Sequence, residues 1–233
     1  MSKLETTESG PAGYVMPSPP VGRGLLTWDG KQLPAAVPLE RVVPSESYGG
    51  DRSRPIEVGN RIYHGDNLSV LAHLAASDLR NTVRLVYIDP PFDSNADYVS
   101  KVRLRNGRSQ LLGQQLQYSD TWVGDSYLQF MYERLLILRD LLADDGSIWL
   151  HCDYRQVHRL HLLLEEVFGQ DNYLNTIAWR SQVTRGAKVN AFYFPFSTQY
   201  IEVFAKNRSA PTLWHPQKKK LVFTRKQAAA QFM

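Results

Sequence analysis

The stretch Leu85-Val86-Tyr87-Ile88-Asp89-Pro90-Pro91-Phe92 constrains the fold more than any other part of the chain, because an apolar strand-forming run ends in a carboxylate, two prolines and an aromatic ring. Proline has no amide hydrogen to give a sheet ladder, so two in succession end the strand and turn the chain at the rim of the sheet. Asp89 and the carbonyl of Pro90 are left as hydrogen-bond acceptors, with Phe92 as a stacking face beside them. Such a trio suits a planar aromatic amine, whose two N–H hydrogens meet two acceptors while its ring packs on Phe92. A buried strand that simply ends in an Asp-Pro turn has the same order, so the rest of the chain has to decide.

Hydrophobic periodicity supplies the elements around this box. Val83–Ile88 reads as a buried β-rich strand. From Ser126, a suitable N-cap, Leu128, Met131, Tyr132, Leu135, Leu138 and Leu142 recur at helical spacing, and Gly146 is the expected stop. In residues 147–152, Ile148, Leu150 and Cys152 alternate on one face, which predicts a strand. Asp153 and Gln156 are spaced as a capping box for a helix carrying Val157, Leu160, Leu164 and Val167 as far as Gly169. Strand–helix–strand–helix order predicts an α/β protein with a parallel sheet and helices on its faces. Ligands of such sheets bind outside the carboxyl ends of the strands, which is where Asp89 falls.

Asp89-Pro90-Pro91-Phe92 resembles the D-P-P-[FY] box of amino-directed DNA methyltransferases. Upstream, Ile62-Tyr63-His64-Gly65-Asp66-Asn67-Leu68 with Leu71 and Leu74 is similar to the "GDNL" segment of that family. Downstream, Tyr118-Ser119-Asp120-Thr121-Trp122, Tyr132-Glu133-Arg134-Leu135 and Leu141-Leu142-Ala143-Asp144-Asp145-Gly146-Ser147-Ile148 follow in the order of its permuted, or beta, class. Ile177-Ala178-Trp179 and the segment from Tyr200 to Asn207 continue the match, which reaches back to Trp28-Asp29-Gly30-Lys31. That class includes adenine-directed enzymes and the modification subunits of type III restriction systems. The resemblance implies a Rossmann-like S-adenosylmethionine-dependent methyltransferase fold. It also implies a flipped adenine stacked on Phe92, with its amino group held by Asp89 and the Pro90 carbonyl, and Pro91 completing the catalytic box.

For Asp66 the resemblance implies a contact with the cofactor, as it does for Asp89, whereas the local sequence makes Asp66 equally the N-cap of a helix through Leu74. Trp179 is open to two roles, lining the base pocket or serving as an ordinary strand aromatic. Cytosine-amino methylation uses the same chemistry, although there the box more often begins with Ser. A non-catalytic DNA-binding fragment is the reading from a different class, because the Phe-x-Gly-x-Gly cofactor loop of the family is not found. Val21-Gly22-Arg23-Gly24 is the nearest glycine pair, and no buried strand precedes it. The expectation is therefore the front part of a longer enzyme, in which residues 1–55 form an extended or poorly ordered arm, 56–207 the catalytic region, and 208–233 the start of a target-recognition region. The first 55 residues hold eight of the thirteen prolines and show no sustained period.

Charge is uneven. From Arg180 onward there are ten Lys and Arg residues and one acidic residue, Glu202, against seventeen basic and twenty-two acidic residues before it. Arg185 and Lys188 lie among Phe192, Tyr193, Phe194, Phe196 and Tyr200, a mixture that neutralises phosphates and stacks unpaired bases, although a solvated basic face is the plain alternative. DNA is the expected partner. A restriction subunit, a second methyltransferase copy or a separate C-terminal half are further partners in line with the resemblance. One cysteine among 233 residues, with no run of membrane-spanning length and no signal-peptide pattern, predicts a cytoplasmic protein. Cys152 could be a nucleophile or a small core residue, and its predicted strand favours the core. His151, Cys152, His158 and His161 lack a second well-spaced pair, so no metal is expected.

Overall fold

The structure is a computed structural model that describes residues 2–5, 13–24, 26–32, 35–44, 60–92, 96–103, 111–120, 126–180 and 196–210. Its strands and helices run β1 (Ser2–Glu5), β2 (Tyr14–Val15), β3 (Val37–Pro38), β4 (Arg41–Pro44), β5 (Tyr63–His64), α1 (Asn67–Ala75) and β6 (Val83–Ile88). They continue with β7 (Ala96–Arg103), β8 (Leu111–Asp120), α2 (Ser126–Leu141), β9 (Leu142–Asp153), α3 (Val157–Phe168), β10 (Tyr173–Arg180) and β11 (Thr198–Ala205).

The central sheet has the order β10-β11-β9-β6. β6 pairs parallel with β9 through α2, and β11 pairs antiparallel with both β9 and β10. The expected all-parallel sheet is thus corrected to a mixed one, in which β6, β9 and β10 share a direction and β11 runs against them. The reason is connectivity: β9 reaches β10 through α3, and β11 then returns into the gap between them, which antiparallel pairing permits without another crossover helix. Among the described residues, the small sheet β4-β1-β5 and the pairs β2-β3 and β7-β8 lie outside this sheet.

Alternation along β9 places Ile148, Leu150 and Cys152 on one face, each with no exposed surface, packed with Leu160, Leu163, Leu164 and Val167 of α3. Each such side chain contributes about 1.5–3 kcal/mol by leaving water. α2 is buried over more than one stripe because it lies between two clusters. Leu128, Met131, Leu135 and Leu138 belong to the sheet side, while Ile137 and Leu141 join Ala72 and Ala75 of α1. The strand at Val83–Ile88 is less buried than its composition predicts: only Val86 is enclosed, and Leu85 and Tyr87 are 61% and 55% exposed on the opposite face. β6 has β9 as its one neighbour among the described residues, and the helices α2 and α3 cover the other side of the sheet.

Three local expectations change. Ser126 is the first helical residue of α2 rather than the residue before it, and the helix ends at Leu141, directly ahead of β9. Gly146 therefore stops no helix. It lies where the β6–β9 register shifts, and a Cβ there would stand 2.8 Å from the Val83 carbonyl oxygen, so glycine is required by close approach of the backbone. The capping box does not form either: Gln156 occupies the cap position of α3 without a side-chain cap bond, and Asp153 Oδ1 accepts from the Arg155 amide at 2.9 Å.

Part of the proline-rich segment lies against this core. Trp28 is 5% exposed, edge-on to Tyr132, and Lys31 Nζ sits 4.4 Å over its ring while pairing with the buried Glu166 at 2.8 Å. The Gly22 amide donates to the Glu166 carbonyl, and a Cβ on Gly22 would stand 2.0 Å from the Glu165 carbonyl oxygen. Gly22 is thus a packing glycine at the end of α3. Buried Arg139 donates to the carbonyls of Val167, Ser18 and Pro19, and its neighbour Asp140 accepts from the Ser18 amide and from Arg80. Buried charges persist only when paired in this way, so the segment is stitched to the helices by polar as well as apolar contacts. Burial lowers the Arg139 pKa, and Asp140 opposes that shift.

Candidate active site

The carboxyl end of β6 delivers Asp89 to the rim of the sheet, where its side chain is 59% exposed. The Tyr87–Trp149 pairing in the β6–β9 ladder sets His151 beside it two residues later on both strands. His151 Nδ1 is 3.0 Å from Asp89 Oδ1, and His151 Nε2 is 3.1 Å from Gln199 Oε1 on β11. The Phe92 ring meets the imidazole edge-on, with centroids 5.4 Å apart. Asp89, His151 and Gln199 thus form a row across three strands, with Phe92 over its middle.

On its other side Asp89 borders a pocket of about 390 Å³ whose walls include Asn67, Leu71, Pro90, Pro91, Phe130 and Arg134. Its volume lies within the range of small-molecule sites, about 300–1,000 Å³. Asp66, the N-cap of α1, touches this wall through Arg134: Oδ1 accepts from the amides of Leu68 and Ser69, and Oδ2 faces Arg134 Nη2 at 3.4 Å. Arg134 stacks on the Phe130 ring at 3.5 Å and donates to Asn67 Oδ1 and to the Phe130 carbonyl. Burial lowers the Arg134 pKa, and Asp66 and Glu133 push it back up. The pocket therefore offers apolar walls from Leu71, Ile88 and Met131, an aromatic side chain in Phe130, a carboxamide in Asn67 and an accepting carboxylate in Asp89.

Asp89, Pro90, Pro91 and Phe92 come together as one rim, and Asp66 is joined to the pocket wall through Arg134. Trp179 does not reach them. It lies near the end of β10, 57% exposed, opposite Gln199 in the β10–β11 ladder. Arg185 and Lys188 lie outside the described residues. Sequence reasoning had no role for His151 beyond a metal ligand, none for Gln199, and read Arg134 only as part of a motif. The signal for His151 was its position two residues beyond Trp149, but using it requires the strand register.

Cys152 points away from the site into the core. Burial pushes its thiol up from 9.0 to about 12, and Glu202 and Asp153 add to the shift, so the nucleophile role is set aside. His161 Nδ1 meets buried Glu202 at 2.9 Å and Nε2 meets Glu165 at 3.4 Å. Among the described residues no three His, Cys, Asp or Glu side chains group as a metal site, and no helix is long and apolar enough to cross a membrane. The Cys152 shift has a consequence for stability. The unfolded chain loses its thiol proton near pH 9 while the folded chain keeps it, so the Cys152 contribution is whole below pH 9 and is lost as pH rises toward 12. Urea titrations of wild type and Cys152→Ala at pH 8 and pH 10 should show a smaller alkaline loss in the variant, and equal losses would refute the assignment.

A family model described as DNA methylase matches residues 83–231. The probable type III restriction-modification enzyme HindVI Mod subunit of Haemophilus influenzae is 32% identical over 150 residues, which are 64% of this chain and 18% of that protein. The EcoPI Mod subunit of Escherichia phage P1 is 31% identical over 206 residues, covering 81% of this chain and 31% of its own length. The EcoP15I Mod subunit of Escherichia coli is 27% identical over 199 residues, 78% of this chain and 30% of that protein. This chain thus spans less than a third of the length of each of these relatives. By the match over residues 83–231, together with the mixed α/β sheet that carries Asp89 at its rim, the chain belongs to the DNA methylase family and its Rossmann-like S-adenosylmethionine-dependent methyltransferase fold.

Proposed function

We propose that this protein transfers a methyl group from S-adenosylmethionine to the exocyclic amino group of adenine in DNA at a specific sequence. The observation that carries the reading is the position of Asp89, an exposed carboxylate set between a nucleoside-sized pocket and an aromatic ring. When bound, S-adenosylmethionine supplies an electrophilic methyl group on its sulfonium. Asn67, Asp66 and Arg134, with the Phe130 wall, are the residues that would hold it, and Asp89 borders both that pocket and the base. The base lies on the Phe92 side, flipped out of the duplex and stacked on the ring. Asp89 and the Pro90 carbonyl accept hydrogen bonds from the two amino hydrogens, which orients the nitrogen lone pair toward the methyl group and stabilises the charge that develops on nitrogen. As the N–C bond forms the S–C bond would break to leave a neutral thioether, and the nitrogen gives up one proton at Asp89.

Residues 56–207 form the catalytic region in this reading, residues 208–233 open a target-recognition region, and the segment 1–55, expected as an arm, instead packs in part on α2 and α3 through Trp28 and Lys31. Trp179, Arg185 and Lys188 contribute to holding DNA, the last two through phosphates. The named relatives are Mod subunits of restriction-modification enzymes, which supports a restriction subunit as a partner alongside DNA, and the work is cytoplasmic. The test is product analysis. The protein is incubated with methyl-labelled S-adenosylmethionine and duplex DNA, and the digested nucleosides are separated. Label in N6-methyladenine at one recurrent sequence is expected; label in N4-methylcytosine would reassign the base, and no label in DNA would remove the reading.

A further inference from the structure

Asp89 is mostly exposed, and a carboxylate at the end of a strand turns freely about its last torsion unless something holds it. Catalysis by preorganised groups needs it held. We propose that His151 is a positioning residue for the transfer: its Nδ1–H fixes the Asp89 carboxylate, and Gln199 fixes the ring. This rests on the methyl-transfer reading above.

The proton inventory supports the direction of the bond. An ionised carboxylate only accepts, so His151 Nδ1 carries the hydrogen across the 3.0 Å contact. Nε2 faces a carboxamide at 3.1 Å, and an amide can accept or, turned over, donate. The ring is therefore either the neutral Nδ1–H tautomer or the cation, and Nδ1 donates to Asp89 in both. With both nitrogens engaged and Phe92 edge-on at 5.4 Å, the 16%-exposed imidazole cannot turn without losing a contact. Asp89 Oδ1 is then occupied, and Oδ2 remains to accept one amino hydrogen of the base while the Pro90 carbonyl accepts the other. The same ring steadies the stacking residue and the accepting residue, which come from one loop, by reaching from the adjacent strand.

Two readouts test this. In the chain labelled with ¹⁵N-histidine, long-range ¹H–¹⁵N correlations should show His151 protonated at Nδ1, with resonances that move in Asp89→Ala; the signal is identified by its loss in His151→Asn. An Nε2–H tautomer with bare Nδ1, indifferent to Asp89→Ala, overturns the contact. In an active preparation, His151→Ala should lower kcat about 100-fold with little change in KM for cofactor or DNA, the penalty typical of a slightly misplaced reacting group. His151→Asn, whose side-chain nitrogen stands close to the place of Nδ1, should recover most of the rate. A loss confined to KM, or an Asn variant no better than Ala, overturns the positioning role. If the wild-type protein methylates no base, the transfer reading falls and this role with it, whereas the spectra still report the Asp89 contact by themselves.

Discussion

Asp89→Ala is expected to reduce single-turnover methyl transfer by about 10²–10³-fold or more, the scale seen when one preorganised group that acts on developing charge is removed. The fold should hardly notice. Asp89 is 59% exposed and makes its described ion pair with His151 alone, and exposed pairs are worth about 0–1 kcal/mol. The combination separates a reacting role from a structural one: near-normal unfolding by urea, near-normal DNA binding, and almost no chemistry. Retention of most of the wild-type rate would sink the assignment of the box. Phe92 belongs to the same test with a smaller effect. Loss of its ring should weaken capture of the base by about 1–3 kcal/mol if stacking is its work, and Phe92→Tyr should be tolerated.

Trp28→Ala should cost about 3–5 kcal/mol of unfolding free energy, as expected for deleting a large buried aromatic. The residue sits in a stretch whose composition reads as an arm, yet it is 5% exposed, packs edge-on against Tyr132 and lies under Lys31, which pairs with Glu166. Removing the ring leaves a cavity beside α2 and frees the clamp on α3. Trp28→Phe makes the sharper comparison. The indole Nε1 is buried with no hydrogen-bond partner among the described residues, so phenylalanine gives up an unsatisfied donor together with some packing, and a loss below about 1.5 kcal/mol is expected. Denaturant titrations of both variants decide it. A cost under about 1 kcal/mol for Trp28→Ala would mean that this segment is not part of the folding unit.

How much of this was legible can be seen residue by residue. The rim position of Asp89 needed only two prolines at the end of an apolar run, and the core face of β9 needed only the alternation of Ile148, Leu150 and Cys152. The helix of Leu128, Met131, Leu135 and Leu138 was visible from spacing, although its end was not, because Gly146 serves a strand register rather than a cap. Asp153 and Gln156 had capping-box spacing, yet the Asp153 carboxylate turned to the nearer Arg155 amide. Both errors arise where two local hydrogen-bonding choices compete and packing decides between them.

By itself, then, the order of residues determined what local rules govern: where the strands β6 and β9 and the helices α2 and α3 form, where the chain must turn after β6, and that a carboxylate, two prolines and an aromatic ring stand together at that turn. Tertiary structure alone decided that β11 enters between β9 and β10, that Trp28 belongs to the core, and that His151 meets Asp89 across 62 positions of chain. The physical reason is range. Periodicity and capping act over three or four residues, whereas strand neighbours and register follow from burying one shared apolar face, and a single step in that register would turn His151 away from the site.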